Sequence, residues 1–308
     1  MLSECCMTWH DIADPASRQL DDLAVKYSLH ELHIEDCRQS THRIKVESDG
    51  QYLFIVLKLL DLEQSNKLAV EDLVLFVGSD FLITVHRSPV DLLSPLRSLG
   101  DKLRPDQVLY HVMDAVVDSY LPVIDKLEDV IEKLQDQVVG SPRPAVLERI
   151  GEMRSTFMQL RRVLSNTRHV AFQLRHVSTP FISQDLAPFL RDVHDDLAID
   201  LDTIAAERER LAGVLEIYLS SVANRTTEAT RTLTLLGTAA LPALVITSLF
   251  GMTIDYPSWT RSSWIFGSLL IVVFAITAFL LWYLRLRDYL PGGSTSRVRS
   301  EPERPSRN

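Results

Sequence analysis

The apolar positions change period along the chain. Leu20, Leu23, Ala24 and Tyr27 recur at steps of three and four, as one buried helix face does, and Pro15 stands near the start of that pattern. Residues 29–37 read as a second short helix. The period then drops towards two. Arg43-Ile44-Lys45-Val46-Glu47 alternates, while 52–57, 73–78 and 81–86 are apolar runs rich in β-branched and aromatic residues. These predict four strands, the last two joined as a hairpin by Gly78-Ser79-Asp80. Residues 1–90 therefore form a small α/β unit with a mostly antiparallel or mixed sheet.

From Leu92 onward the pattern is helical. Val108, Val112, Ala115, Val116, Leu121, Ile124, Leu127, Ile131 and Leu134 mark one amphipathic helix over 106–138, ended by Gly140-Ser141-Pro142. Leu147, Ile150, Met153, Phe157, Leu160 and Leu164 mark a second, over 145–176. The short break makes the two antiparallel neighbours. A third helix starts near Ser183-Gln184-Asp185, and no stop follows before Phe250. Gly237 weakens it and Pro242 is expected to kink it. If continuous, it is about 100 Å long. Residues 91–230 are read as a long-helix unit and stalk.

Two runs lack any charge. Residues 232–250 reach about 28 Å as a helix, close to one hydrocarbon thickness, and 264–284 span equally well. The spans are set at 231–250 and 264–284, with a loop at 251–263 and a basic tail at 285–308. Arg225 and Arg231 precede the first span, and Arg285, Arg287 and four further arginines follow the second, while Arg261 and Asp255 cancel in the loop. By the positive-inside rule both termini are expected in the cytoplasm, in a multi-pass inner or plasma membrane protein. The first residues lack a charged-then-apolar leader, so the spans themselves are expected to target the chain.

Along the first span, Thr227, Thr230, Thr234, Gly237, Leu241, Leu244, Ser248 and Gly251 share one face. Several copies around an axis would turn hydroxyls towards water and leave leucines as a constriction that can dewet. Small and hydroxyl residues also mediate tight helix packing in membranes, and the stripe by itself does not separate the two.

The formal charge of −9 excludes a basic nucleic-acid footprint, and no nucleic-acid partner is expected. Cys5, Cys6 and Cys37 are odd in number, lack metal spacing with histidine and suit a reducing compartment. No phosphate loop, nucleophile elbow or close metal-ligand motif appears, so the chain is not read as an enzyme.

The segment 216–228, then Leu233-Thr234, Leu241-Pro242 and Phe250-Gly251-Met252, followed by Tyr256-Pro257 and Trp259, resembles the pore helix and loop of the CorA family of divalent-cation channels. Trp9, Leu29-His30, Ile34-Glu35-Asp36, Lys45-Val46-Glu47 and 52–58 resemble that family's cytoplasmic domain. The family usually has further strand residues ahead of Trp9, so an edge strand is expected to be missing. The resemblance implies an α+β cytoplasmic domain joined by one very long helix to a two-helix transmembrane hairpin, mostly α overall. It also implies that the Gly251-Met252-Thr253 stretch, with Asp255, forms the pore mouth. The family has asparagine where this chain has Thr253 and, in the inner pore, Thr227. Magnesium keeps its waters, so a hydrated ion is selected through oxygen acceptors; threonine retains an oxygen but loses the amide NH2. By the same resemblance Asp192, and Glu63 near Asp61, match carboxylates of adjacent subunits that share a regulatory ion.

The reading is a homo-oligomer in the lipid bilayer, five copies being the expected number. It passes divalent cations (Mg2+, with Co2+ and Ni2+) and holds no permanent cofactor, the ion being cargo and regulator. A zinc transporter of the same superfamily, with Zn2+ as its ion, is the nearest alternative, with Cys5, Cys6, His10, His30 and His33 as assisting groups. A non-conducting membrane sensor or scaffold is the alternative of another class.

Overall fold

The computed structural model describes residues 7–39, 43–63, 67–100, 103–140, 143–177, 179–251 and 263–286. It divides into two compact units, Met1–Leu219 and Ser220–Asn308.

The first unit is built on five strands, β1 (Thr8–Ile12), β2 (Lys45–Ser48), β3 (Leu53–Leu62), β4 (Leu68–Val77) and β5 (Phe81–Val85). Their order is β1-β5-β4-β3-β2, with β1 parallel to β5 and every other pair antiparallel. Residues 53–57 are all buried because both sheet faces are covered, which explains their continuous apolar character. Alternation still sorts them. Leu53, Ile55, Leu57, Leu73, Leu75, Val77 and Leu82 enter one core, and Phe54, Val56, Val74, Phe76 and Ile83 enter the other. A one-residue slip would exchange the two sets, so the β3–β4 register of Leu53↔Val77 through Leu62↔Leu68 is strongly specified. Between β4 and β5 the turn needs Gly78, since a Cβ there would lie 2.2 Å from the Phe81 ring.

The edge strand β1 was not marked by alternation. It is held by a half-buried carboxylate: Thr84 Oγ1 (2.5 Å) donates to Asp11, which also receives His86 Nε2 (3.0 Å) and Arg97. Trp9 Nε1 donates to Thr84 Oγ1 at 3.1 Å. These partners come from β5 and beyond, more than 70 residues away in sequence.

Helices α1 (Arg18–Lys26) and α2 (Glu31–Arg38) cover one face of the sheet through Leu20, Ile34 and Cys37. After α3 (Leu93–Gly100), the other core is built with α4 (Pro105–Asp118), α5 (Leu121–Gly140), α6 (Pro144–His176) and α7 (Ala187–Gly251), the last preceded by a 3-10 turn at Gln184–Leu186. The single helix predicted over 106–138 is thus two. Pro122 has no N–H, and its ring opposes the carbonyl four residues back, so the chain turns at Ser119-Tyr120. Tyr120 fills the corner, fully buried, and its hydroxyl donates to the Lys58 carbonyl of β3 at 2.7 Å. Asp106, buried in the first turn of α4, accepts from the backbone N–H of Ser183 (3.0 Å) and so anchors the approach to α7.

Within the first unit α7 buries Leu190, Val193, Leu197, Ile204, Leu211 and Val214, at steps of three, four and seven. Helix assignment continues through Pro242 to Gly251, and α8 runs Ser263–Leu286. Among the described residues taken alone no helix is long and apolar enough to cross a membrane. The full sequence of α7 and α8 nevertheless contains the uncharged runs 232–250 and 264–284, and uncharged helical backbone of that length is what a hydrocarbon core accepts.

Candidate cation path and acidic cluster

The stripe predicted on the first span lies on one helix. Thr227, Thr230, Thr234, Gly237, Leu241, Leu244 and Ser248 are all exposed in the single chain. The hydroxyls have a direction. Thr227 donates to the Ala223 carbonyl at 3.0 Å, and Thr234 to that of Thr230 at 2.9 Å. Each spends its proton on the helix backbone, so what remains is oxygen lone pairs. Water in the shell of a bound cation turns its hydrogens outward, and a row of acceptors suits that shell. A Cβ on Gly237 would meet nothing within 4 Å, so its smallness is not required by packing within this chain. Gly251 is the last residue of α7; Met252, Thr253 and Asp255 lie outside the described residues.

Asp192 is exposed near the start of α7, and Glu63 is exposed just after β3, where its N–H donates to the Lys67 carbonyl at 3.0 Å. They stand on different elements. What the fold adds is α4: Asp114 and Asp118 join Asp192, Asp196 and Asp200 in one electrostatic cluster. Burial, followed by neighbouring carboxylates, raises the pKa of Asp114 and of Asp196. Among the described residues, no group of three or more His, Cys, Asp or Glu is arranged to hold a metal within one chain. Sequence reasoning singles out Asp192 and Glu63 but not Asp114 and Asp118. Their i, i+4 spacing on α4 was visible, but the pairing of α4 with α7 was not.

Burial, then Asp196 and Asp118, pushes the Asp200 carboxyl from the ordinary 3.8 up to about 6. Between those values the folded form keeps a proton that the unfolded form has released, so stability falls as pH rises through the interval and is level above it. Asp200→Asn is expected to raise Tm at about pH 7.5, with the gain vanishing near pH 4. Thermal unfolding at both pH values checks this; an equal gain at both would show that the charge is not the cause.

The histidines named as assisting groups for zinc have other partners. His10 Nε2 meets the Tyr27 hydroxyl at 3.2 Å. His30 caps α2 by accepting from the Leu32 N–H at 3.1 Å. His33, buried against Phe54, contacts the Tyr52 hydroxyl at 2.8 Å and Glu47 at 3.1 Å. Cys5 and Cys6 lie outside the described residues.

The cobalt/magnesium transport protein CorA of Thermotoga maritima is 28% identical over 272 residues, covering 86% of this chain and 78% of its own. The zinc transport protein ZntB of Yersinia enterocolitica matches less, at 22% over 200 residues, or 65% of this chain and 61% of its own. The complete structure of the CorA magnesium transporter from Methanocaldococcus jannaschii superposes with a TM-score of 0.83 at 21% identity, over 92% of both chains, which shows the fold. A family model described as CorA-like Mg2+ transporter protein matches residues 6–286. Matched from just ahead of β1 to the end of α8, the chain belongs to the CorA-like Mg2+ transporter family.

Proposed function

We propose that the chain assembles as a homo-oligomer, five copies around an axis, and passes hydrated divalent cations, Mg2+ first and Co2+ or Ni2+ with it, across the inner or plasma membrane. The observation that carries this reading is the outward row of hydroxyl acceptors at Thr227 and Thr234 on a helix whose continuation is uncharged as far as Gly251. Copies of that helix would present acceptors to the ion's water shell and, at Leu241 and Leu244, an apolar ring that closes by dewetting. Gly251, Met252, Thr253 and Asp255 form the outer mouth in this reading. The membrane potential drives cations inward at about 2.3 kcal/mol per charge per 100 mV, so no fuel is needed. Both termini are cytoplasmic, because the arginines flank the pair of spans and not the loop. The ion is cargo, and no permanent cofactor is required.

Regulation follows from charge. Asp192 of one copy and Glu63 of the next share a divalent ion in the closed state; without it the carboxylates repel and the contact loosens. Asp192→Ala is expected to weaken inhibition by internal Mg2+ by about tenfold, the equivalent of 1.4 kcal/mol of ion binding. Flux measured against internal Mg2+ checks it, and an unchanged inhibition curve would remove Asp192 from this role.

The test of the whole reading is uptake of Mg2+, Co2+, Ni2+ and Zn2+ into proteoliposomes, for the wild type and Thr253→Asn. Mg2+ uptake by the wild type is expected, with Thr253→Asn raising it, because the amide restores both an acceptor and a donor at the mouth. Uptake of Zn2+ alone would favour the zinc transporter, the reading with the weaker sequence match. No uptake by either protein would make the chain a non-conducting sensor or scaffold.

A further inference from the structure

The cluster around Asp11 fixes where its protons stand. Trp9 Nε1 can only donate, so Thr84 Oγ1 accepts from it at 3.1 Å and sends its own proton to Asp11 Oδ1 at 2.5 Å. The Arg97 guanidinium, also a donor only, meets the other oxygen, Oδ2. Asp11 is therefore the ionised acceptor of the cluster. His86, 5% exposed, places Nε2 3.0 Å from Asp11 Oδ1 and Nδ1 2.7 Å from the Ser88 carbonyl. Neither partner has a proton to give. A neutral imidazole has one N–H and one lone pair, so one of the two contacts would set lone pair against lone pair. Both contacts are made when the ring is doubly protonated.

The pair joins three elements. Asp11 is on β1, His86 directly follows β5, and Arg97 is on α3. Strand β1 lies at the sheet edge with β5 as its neighbour, and this carboxylate is its side-chain tie to β5 and α3. The His86 backbone N–H adds a bond of 3.0 Å to the Ile12 carbonyl, just past the last ladder pair Ile12↔Val85. Other charged groups of the neighbouring elements have partners of their own. Arg87 donates to the Arg38 carbonyl at 2.6 Å, Glu71 of β4 accepts from Ser88 Oγ at 2.7 Å, and Lys58 of β3 pairs with Asp72 of β4. On β1 itself His10 meets the Tyr27 hydroxyl. The charge that answers His86 is that of Asp11.

We infer that Asp11 and His86 form a proton-operated latch: with the ring doubly protonated it clips β1 and α3 to β5, and loss of the Nε2 proton releases them. Histidine is the side chain whose charge changes within the physiological pH range. After the loss, Nδ1–H stays on Ser88 while Nε2 turns a lone pair to the carboxylate across 3.0 Å. Away from water that repulsion is little screened. The sign follows from linkage. The latched form holds a proton that the opened form gives up, so the latch has its full strength at low pH and weakens as pH rises.

Hydrogen exchange of the full chain in detergent, read by mass spectrometry at about pH 6.5 and about pH 9 and corrected for the chemical exchange rate, tests the latch. Protection of the β1 peptide is expected to fall about tenfold between the two, one pH unit's worth of a single linked proton, while that of β3 and β4 stays level. Asp11→Asn tests the protons directly. Its amide oxygen still accepts from Thr84, and its NH2 donates to Nε2 of a neutral ring. Protection of β1 in this variant should be the same at both pH values. His86→Asn should expose β1 to exchange about tenfold faster than in the wild type at the lower pH and remove the pH dependence. Normal protection of β3 and β4 shows that a variant is folded, and if one is not, the other decides. Level β1 protection in the wild type, an undiminished fall in Asp11→Asn, or a parallel fall in β3 and β4 would each overturn the latch.

Discussion

Leu241→Ala combined with Leu244→Ala raises the resting leak of Mg2+ into proteoliposomes by about tenfold, the equivalent of removing roughly 1.4 kcal/mol from the closed barrier. Both leucines stand on the exposed face of α7, at 60% and 66%, three residues apart and one turn beyond Gly237. In a ring of such helices they form the widest apolar belt of the stripe. A narrow belt of this kind excludes ions because water leaves it, and alanine shortens each side chain enough for water to stay. Flux with internal Mg2+ present, the condition in which the proposed regulation would hold the wild type closed, is expected to give the largest contrast. Unchanged flux in the double variant would sink the assignment of this face to the pore. Leu236→Ala, at 65% exposure but off the stripe, serves as the control and should leave the leak as it is.

Tyr120→Ala lowers stability by about 3–5 kcal/mol, the usual loss for truncating a buried aromatic side chain to alanine. For a unit of this size that is a fall in Tm on the order of 10 °C. Tyr120 has no exposed surface. Its ring fills the corner between α4 and α5, and its hydroxyl satisfies the Lys58 carbonyl at 2.7 Å. Thr167 of α6 lies 3.4 Å away from the same hydroxyl. Tyr120→Phe keeps the ring and loses only the hydrogen bond, so it should cost about 1–3 kcal/mol. Thermal unfolding of the three proteins separates the two terms, and equal losses in both variants would assign the whole effect to the hydroxyl.

Much of the architecture was legible because it rests on local periodicity. Strands β2 to β5 followed from their apolar runs, α6 and α7 from steps of three and four, and the uncharged spans from composition alone. Two features were not. Strand β1 is five residues long, with Asp11 and His10 among them, and its partners lie in β5, so nothing in the segment itself marks it as strand. The corner at Ser119-Tyr120 was overlooked because the apolar period runs through it; Pro122 was the available sign, and its reason is steric. The expected missing edge strand also took a different form, since β1 itself occupies that edge.

The stripe on the first span belongs with the legible part. Residues on one helix face are neighbours whatever surrounds them, so Thr227, Thr234, Leu241 and Leu244 could be grouped from spacing alone. The helix itself sets the direction of the hydroxyl protons, since each bonds the carbonyl four residues back. The acidic cluster is the opposite case. Asp114 and Asp118 are more than 70 residues from Asp192, and only the packing of α4 beside α7 brings their fields together. Sequence by itself determined most of the elements, the two uncharged runs and the hydroxyl-bearing face of α7, because those are set by neighbours along the chain. The crowded carboxylates and the anchor at Asp11 were decided by tertiary structure, because charge and burial act across space between segments that no local pattern connects.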